Sequence, residues 1–222
     1  MAAWKIAPAL ATGNTVVLKP AETTPLTALL LAELIQDADL PPGVVNVVTG
    51  AGETGEALVN HPGINKLAFT GSTDVGKMIQ RAAAARRLPL TLELGGKAAH
   101  VVFEDAAIDQ AIEGVVNGIF FNQGHVCCAG SRLLVQESIA EDFIARLKRR
   151  VALLRVGDPL DKNTDVGAIN SGAQLTRIQE LVESGVVEGA EIFQPDCKLP
   201  AKGFWFTPTL FTGVQQSHRI AR

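Results

Sequence analysis

Short runs of β-branched and aliphatic residues alternate with helical segments through the first half of the chain. Runs of this kind occupy four ranges, 14–18, 44–48, 66–69 and 90–94. Between them lie segments with apolar residues at helical spacing, such as the one that Pro25 opens and Pro41-Pro42-Gly43 ends. Strands that are apolar on both faces and separated by helices favour a parallel sheet covered by helices on both sides. The first half is therefore predicted to be an α/β unit with a Rossmann-like parallel sheet.

The spacing changes after the glycine pair Gly95-Gly96, where we place a domain boundary between residues 1–95 and 96–222. The second part is predicted to belong to another α/β domain. Its strands are expected at 100–103, 132–136, 190–193 and 204–210, with helices at 108–122 and 174–183 and one more after Ser138. Ser138 and Glu141 have the spacing of a capping box at the start of that helix.

Composition excludes several classes of partner. A net charge of −3 among 222 residues, with a pI near 5.8, favours neither nucleic acid nor an anionic membrane surface. No run of about 18 apolar residues predicts a membrane span. The histidines are scattered, so no metal site is expected. Three cysteines, two of them adjacent, argue against a disulfide framework and favour a reducing compartment, which we take to be the cytoplasm.

The adjacent cysteines lie in the segment from Phe120 to Arg132, between a predicted helix and a predicted strand. Cys127 follows the polar, flexible residues Asn122-Gln123-Gly124, so its sulfur is expected at the edge of a cleft, where a thiolate can act as a nucleophile. Two buried packing cysteines are the alternative, and the local sequence favours neither interpretation.

Glu93 supports the catalytic interpretation, because it ends a strand immediately before two glycines. Its carboxylate is expected at the carboxyl edge of the sheet. Burial beside an apolar strand would raise its pKa toward the range that suits a general base. A surface glutamate at a strand end is the alternative.

Lys19 and Glu22 also follow a predicted parallel strand, at the edge where open α/β sheets bind ligands. The lysine could reach a ribose or a phosphate, and the glutamate could accept hydrogen bonds from a ribose diol. An acidic group repels a 2′-phosphate, so NAD is favoured over NADP. The alternative is a solvated surface pair.

Two glycine-containing turns are candidates for phosphate binding. Gly71 opens the first, where backbone can approach a phosphate and Ser72 and Thr73 add hydroxyl groups at a helix N-terminus. A plain helix cap is the alternative. The second turn, residues 50–55, matches the Gly-x-Gly-x-x-Gly pattern, which by itself is a weak signal.

Taken together and in order, these motifs resemble the NAD(P)-dependent aldehyde dehydrogenase family. The resemblance covers essentially the whole chain, because five segments match in order and at similar spacing. They are Trp4 to Asn14, Lys19-Pro20-Ala21-Glu22, Phe69-Thr70-Gly71-Ser72, Glu93 to Lys97, and the cysteine box of Gly124 to Cys127.

The resemblance implies that Cys127, three places after Gly124, is the nucleophile and that Glu93 is the base. Cys127 would form a thiohemiacetal and then a thioester with an aldehyde, and Glu93 would activate the water that releases a carboxylic acid. Residues 1–95 would be part of the NAD-binding domain and residues 96–222 part of the catalytic domain. No metal ligand is implied. The expected cofactor-binding residues are Lys19, Glu22, Gly52, Gly71, Ser72, Thr73, Asp74, Val75, Gly76 and Leu94.

The chain also departs from the family pattern. A Pro-Trp-Asn segment, whose asparagine is an oxyanion donor, and a Glu-x-Phe-Gly-Pro segment, whose glutamate binds the nicotinamide ribose, are not in this sequence. We therefore expect an internal piece of a longer, homo-oligomeric enzyme, with little activity alone. His125 stands where glutamine is usual. A coenzyme A-acylating dehydrogenase and a non-catalytic scaffold-type relative are the alternative functions.

Overall fold

The computed structural model describes all 222 residues, which divide into two compact units, Met1–Leu94 and Gly95–Arg222. Each unit alternates strands and helices, so the predicted α/β class is confirmed. No helix in the chain combines the length and the apolar character needed to cross a membrane.

The first unit contains two pairs of parallel strands. Its elements are α1 (Ala2–Ala11), β1 (Val16–Leu18), α2 (Leu26–Asp37), β2 (Val45–Val47), α3 (Gly52–Asn60), β3 (Leu67–Thr70), α4 (Thr73–Ala85) and β4 (Leu90–Glu93). Strand β1 pairs with β2, with Val16 opposite Val45, and β3 pairs with β4, with Thr70 opposite Glu93. A helix connects the two strands of each pair, as a parallel pairing requires. Along all four strands, half-buried residues alternate with exposed ones.

The second unit contains a parallel pair and an antiparallel pair. Its elements are β5 (Ala99–Val102), α5 (Ile108–Phe120), a 3-10 helix (Phe121–Gly124), β6 (Arg132–Val135), α6 (Glu137–Val151), α7 (Gly172–Val187), β7 (Glu191–Phe193), β8 (Leu210–Thr212) and a second 3-10 helix (Arg219–Ala221). Strand β5 pairs in parallel with β6, and β7 pairs antiparallel with β8. The last strand therefore begins at residue 210, where the predicted range of 204–210 ends.

The core of the second unit lies between α5, α6 and one face of the β5–β6 pair. Apolar residues at helical spacing on α6 are almost completely buried there, against apolar residues of α5 and Val102 of β5. The α6 residues are Phe143, Leu147 and Val151. Burying a large apolar side chain contributes about 1.5–3 kcal/mol, so these positions hold the two helices on the strands that flank the cysteine segment.

The predicted capping box at α6 is wrong. Helix α6 begins at Glu137, its N-cap residue is Gln136, and no side chain caps it. The Ser138 hydroxyl instead donates to Oε2 of Glu104 (2.8 Å), and Gln136 Oε1 accepts from the backbone N–H of Glu104 (3.0 Å). The Ser138 side chain therefore binds Glu104, outside the helix, instead of capping the N-terminus of α6.

Candidate functional site

Cys127 and Cys128 occupy the two central positions of a β-turn. The backbone N–H of Ala129 donates to the carbonyl of Val126 (2.9 Å), which closes the four-residue turn around them. Both cysteines are exposed, and all three cysteines of the chain are free thiols. Neither central residue donates its backbone N–H to a protein acceptor, so these groups are available to a ligand. Ala129, the last residue of the turn, and Gly130, which follows it, are buried and anchor the turn.

A left-handed backbone segment leads into this turn. Asn122, Gln123 and Gly124 have φ values of 49°, 56° and 75°. Only glycine adopts this region freely, and each of the other two residues costs about 1–2 kcal/mol. Hydrogen bonds hold the segment in place: Asn122 Nδ2 donates to the carbonyl of His125 (3.4 Å). The Gln123 amide, oriented to satisfy its neighbours, accepts from the N–H of Gly167 (3.1 Å).

The far side of the turn is joined to the segment that precedes β5. Arg132 Nε donates to the carbonyl of Lys97 (2.8 Å), and the Arg132 N–H donates to that of Ala98 (3.2 Å). A Cβ added to Gly96 would lie 3.3 Å from the carbonyl oxygen of Cys127, which is tighter than ordinary contact. Residues 96–98 therefore form a support for the cysteine turn. Sequence reasoning took the glycine pair as a domain boundary and missed this role.

Glu93 is the last residue of β4, at the carboxyl end of the strand as predicted. The predicted burial of its side chain is wrong, because Glu93 is exposed. Its backbone carbonyl accepts a hydrogen bond from Gly71 N–H (3.1 Å), which continues the β3–β4 ladder by one residue. The alternation of facing along β4 places Leu92 inward and Glu93 outward. The carboxylate is therefore accessible to water.

Lys19 and Glu22 form an ion pair at the carboxyl end of β1, with 3.2 Å between Lys19 Nζ and Glu22 Oε1. Lys19 Nζ also donates to the carbonyl of Gly50 (2.8 Å), after β2. The lysine side chain is only 18% exposed, so it is not a purely solvated surface group. A backbone hydrogen bond at Glu22, and then the hydrogen bond and charge of Lys19, lower the pKa of the Glu22 carboxyl below its ordinary value.

Glu22 also lines an open cleft of about 270 Å³ at the carboxyl ends of β1 and β2. The other lining residues are Pro20, Ala21, Pro25, Thr49, Gly50 and Ala51. Gly50 has a φ of 151°, and a Cβ there would overlap Thr54. Gly52 is the first residue of α3, and the position of its missing Cβ faces open space. The cleft thus meets the edge where open α/β sheets bind ligands.

The N-terminus of α4 follows β3 directly, and the structure explains its residues by packing and capping. Ser72 is the N-cap residue and its hydroxyl accepts from Val75 N–H (3.3 Å). A Cβ at Gly71 would lie 2.5 Å from the ring of Phe69, and one at Gly76 would lie 2.6 Å from Cδ2 of Leu94. Thr73, Asp74 and Val75 are exposed in the first turn.

These residues therefore form two groups in the first unit and one in the second. Glu22 lines the cleft, Lys19 is hydrogen-bonded to Glu22 and to the carbonyl of Gly50, and Gly52 follows the lining residue Ala51. The second group lies where β3 and β4 end and α4 begins, and its members are Gly71, Ser72, Thr73, Asp74, Val75, Gly76, Glu93 and Leu94. Cys127 belongs to the second unit, with Gly96 and Arg132 as supports.

Comparisons with known proteins agree with the motif order. The chain matches the model of the aldehyde dehydrogenase family over residues 1–222. It is 50% identical to human retinal dehydrogenase 2 and 46% identical to betaine aldehyde dehydrogenase 2 of Rhizobium meliloti (strain 1021), over its whole length in both cases. An NAD+ complex of an aldehyde dehydrogenase from Bacillus cereus superposes with a TM-score of 0.95 at 42% identity, again over the whole chain.

The chain spans less than half the length of these proteins: 43% of the human protein, 46% of the Rhizobium protein and 45% of the Bacillus chain. Within that span the family match leaves no residue of the chain uncovered. The chain belongs to the aldehyde dehydrogenase family.

Proposed function

We propose that this chain carries the nucleophile, the base and part of the cofactor site of an NAD-dependent oxidation of an aldehyde to a carboxylic acid. The observation that carries this proposal is the position of Cys127. An exposed thiol lies at the centre of a turn whose backbone N–H groups are free, in a member of the aldehyde dehydrogenase family. A packing cysteine would be enclosed by apolar side chains instead.

The residues of the first unit fit a dinucleotide. At a strand-end cleft, the Glu22 carboxylate can accept hydrogen bonds from a ribose diol and the Lys19 ammonium group can donate one. The N-terminus of α4 presents Gly71, Ser72 and Thr73, and helix N-termini favour phosphate. Asp74, Val75, Gly76, Leu94 and Gly52 complete the proposed set. The negative charge of the exposed Glu22 carboxylate repels a 2′-phosphate, which disfavours NADP. Related structures solved with NAD+ support the same choice.

In the proposed reaction, the Cys127 thiolate adds to the aldehyde carbonyl and a carbon–sulfur bond forms. The resulting oxyanion accepts a hydrogen bond from the free N–H of Cys127. Bound NAD+ supplies the acceptor for the hydride that leaves this carbon. A thioester then remains on Cys127. Glu93 takes a proton from water, the hydroxide adds to the thioester, and the carbon–sulfur bond breaks to return the thiolate and release the acid. The exposure of Glu93 gives it access to that water.

The relatives suggest substrates for the first test, retinal and betaine aldehyde, because two of them are a retinal dehydrogenase and a betaine aldehyde dehydrogenase. The protein is incubated with an aldehyde and NAD+, then digested and analysed by mass spectrometry. Because the chain alone is expected to turn over little, the readout is a slow acyl adduct on Cys127 that requires both reagents, with NADH formed in at most one equivalent. The variant Cys127→Ser should lose both signals, whereas the matched variant Cys128→Ala should keep them.

Product analysis distinguishes hydrolysis from transfer to coenzyme A. We expect the carboxylic acid as the product whether or not coenzyme A is present. The variant Glu93→Gln should accumulate the acyl adduct, because hydrolysis of the thioester slows without the base. Formation of an acyl-coenzyme A thioester would instead assign the chain to the acylating dehydrogenases. An adduct that survives in Cys127→Ser would overturn the assignment of the nucleophile.

A further inference from the structure

A histidine ring packs against the glycine that follows the cysteine turn. His100 is the second residue of β5, opposite Leu133 of β6. Its ring contacts two glycines that approach it from different segments, Gly118 in the last turn of α5 and Gly130 just after the turn. A Cβ at Gly118 would lie 2.7 Å from Cε1 of the ring, and a Cβ at Gly130 would overlap the ring outright. A side chain at either glycine would therefore force the imidazole or the backbone to shift.

The two glycines are themselves joined. The N–H of Gly130 donates to the carbonyl of Gly118 (3.3 Å), so the chain that leaves the cysteine turn is tied to α5 at the point where the ring lies. Gly130 is buried, and it lies only three residues after Cys127. A shift of Gly130 away from the ring would therefore displace the β-turn that holds the thiol.

The ring also carries a polar atom with no partner. Nε2 of His100 is buried and makes no hydrogen bond. A buried polar group without a partner typically costs about 1–3 kcal/mol, which an apolar side chain of the same size would avoid. The packing of the two glycines against His100 therefore depends on the volume of the ring and not on its nitrogen atoms.

We propose that His100 is a positioning residue for Cys127: its ring acts as a spacer that sets the distance between the cysteine turn and α5. This inference rests on the proposed function, in which Cys127 is the nucleophile. The ring holds Gly130, Gly130 anchors the turn, and the turn sets the position and exposure of the Cys127 thiol.

The test measures the reactivity of one thiol by a compensation experiment. The parent is the full chain with Cys128→Ala and Cys197→Ala, so that iodoacetamide can alkylate only Cys127. Rates are measured at one pH, under conditions in which circular dichroism shows every variant folded. We expect His100→Ala and Gly130→Ala each to slow alkylation at least threefold, because one removes the spacer and the other collides with it.

The double variant His100→Ala/Gly130→Ala should return to within twofold of the parent rate, since the new methyl group enters the space that the ring leaves. His100→Leu, which has a similar volume and no nitrogen, should also stay within twofold. A role confined to global stability predicts unchanged alkylation rates in all these variants, because each of them is folded under the conditions of the measurement. If Gly130→Ala fails to fold, Gly118→Ala with and without His100→Ala is judged by the same criterion.

Unchanged rates in the single variants, or no recovery in the double variant, would overturn the proposal. Either result is independent of the acyl-adduct experiment, because alkylation of Cys127 requires neither aldehyde nor NAD+. The spacer role could thus fail while Cys127 still forms the acyl adduct. Conversely, the compensation could succeed while no acyl adduct forms, which would support the spacer role and contradict the proposed function.

Discussion

The backbone of Gly96 lies against the carbonyl oxygen of Cys127, so close that a Cβ on Gly96 would be 3.3 Å from that oxygen. The glycine next to it, Gly95, has open space around the same position. Two adjacent glycines with the same chemistry therefore differ in one contact. This difference supplies a matched pair of variants for the cysteine turn.

Gly96→Ala should slow the alkylation of Cys127 several-fold, because the Cys127 carbonyl must move by a few tenths of an ångström to accept the new methyl group. Gly95→Ala should leave the rate unchanged. The measurement is the iodoacetamide rate in a protein whose only thiol is Cys127. Equal rates in the two variants would show that the contact does not influence the thiol.

Gly76→Ala should destabilise the first unit, because the added Cβ would lie 2.6 Å from Cδ2 of Leu94 and force repacking between α4 and the end of β4. Overpacking of this kind costs about 1–3 kcal/mol. The matched helical glycine is Gly114, which is exposed on α5 with no atom within 4 Å of a new Cβ.

Gly114→Ala should accordingly gain about 0.5–1 kcal/mol of helix stability. Urea unfolding monitored by circular dichroism measures both changes. Two losses of similar size would contradict the packing argument, because they would reflect the loss of glycine itself and not the contact with Leu94.

Glu113 on α5 and Arg150 on α6 form a bidentate ion pair, with distances of 2.6 and 3.1 Å. Arg150 is 28% exposed and Glu113 50%, so solvent screens the pair strongly. A double-mutant cycle with Glu113→Gln and Arg150→Met should give a coupling free energy of at most about 1 kcal/mol.

The neighbouring pair of Asp109 and Arg146, with one contact of 3.5 Å, is the control and should show weaker coupling. Repeating both cycles in 1 M salt should reduce the coupling of Glu113 and Arg150 further, since salt screens exposed charges. A coupling that salt leaves unchanged would argue for packing of the arginine stem instead of charge.

Lys19→Met should raise the pKa of the Glu22 carboxyl toward its ordinary value, because the variant loses the hydrogen bond and the charge of the ammonium group. The backbone hydrogen bond at Glu22, which is the largest cause of the lowering, should keep that pKa below the ordinary value. NMR titration of the Glu22 side chain measures both effects. No change in the variant would exclude Lys19 as a cause.

The sign of the pH effect on stability follows from that lowered pKa. The folded state stabilises the ionised form of Glu22 more than the unfolded state does. The resulting contribution to the free energy of unfolding is complete above the ordinary glutamate pKa. It is lost as the pH falls through the folded pKa. Unfolding of the parent protein and of Lys19→Met should therefore differ less at acid pH than at neutral pH. A difference that grows on acidification would contradict this sign.

The burial of Glu93 is one of three sequence-based expectations that the structure contradicts. Local apolar character along β4 indicates a strand, but it does not show which face each residue takes in the folded unit. Leu92 faces inward and Glu93, the next residue, faces solvent. The capping box at Ser138 failed for a related reason, because Glu104 from a distant part of the chain became its hydrogen-bond partner.

The last strand shows the same limit. Apolar residues from Phe204 to Leu210 predicted a strand there, yet pairing with β7 selects Leu210–Thr212, whose Thr212 lies opposite Glu191. A strand pair joins two distant segments, so the residues of one segment alone do not specify which of them pair with the other segment.

What the sequence by itself determined are the features that local physics controls. They are the order of strands and helices, the position of Cys127 between α5 and β6, and the strand-end positions of Lys19 and Glu93. Periodicity, glycine and proline act over a few residues, so they can be read from a single chain. Only the tertiary structure decided that Gly96 meets the carbonyl of Cys127 and that His100 fills the space between Gly118 and Gly130. These contacts join residues 18 to 31 positions apart in the chain, and close packing alone brings them together.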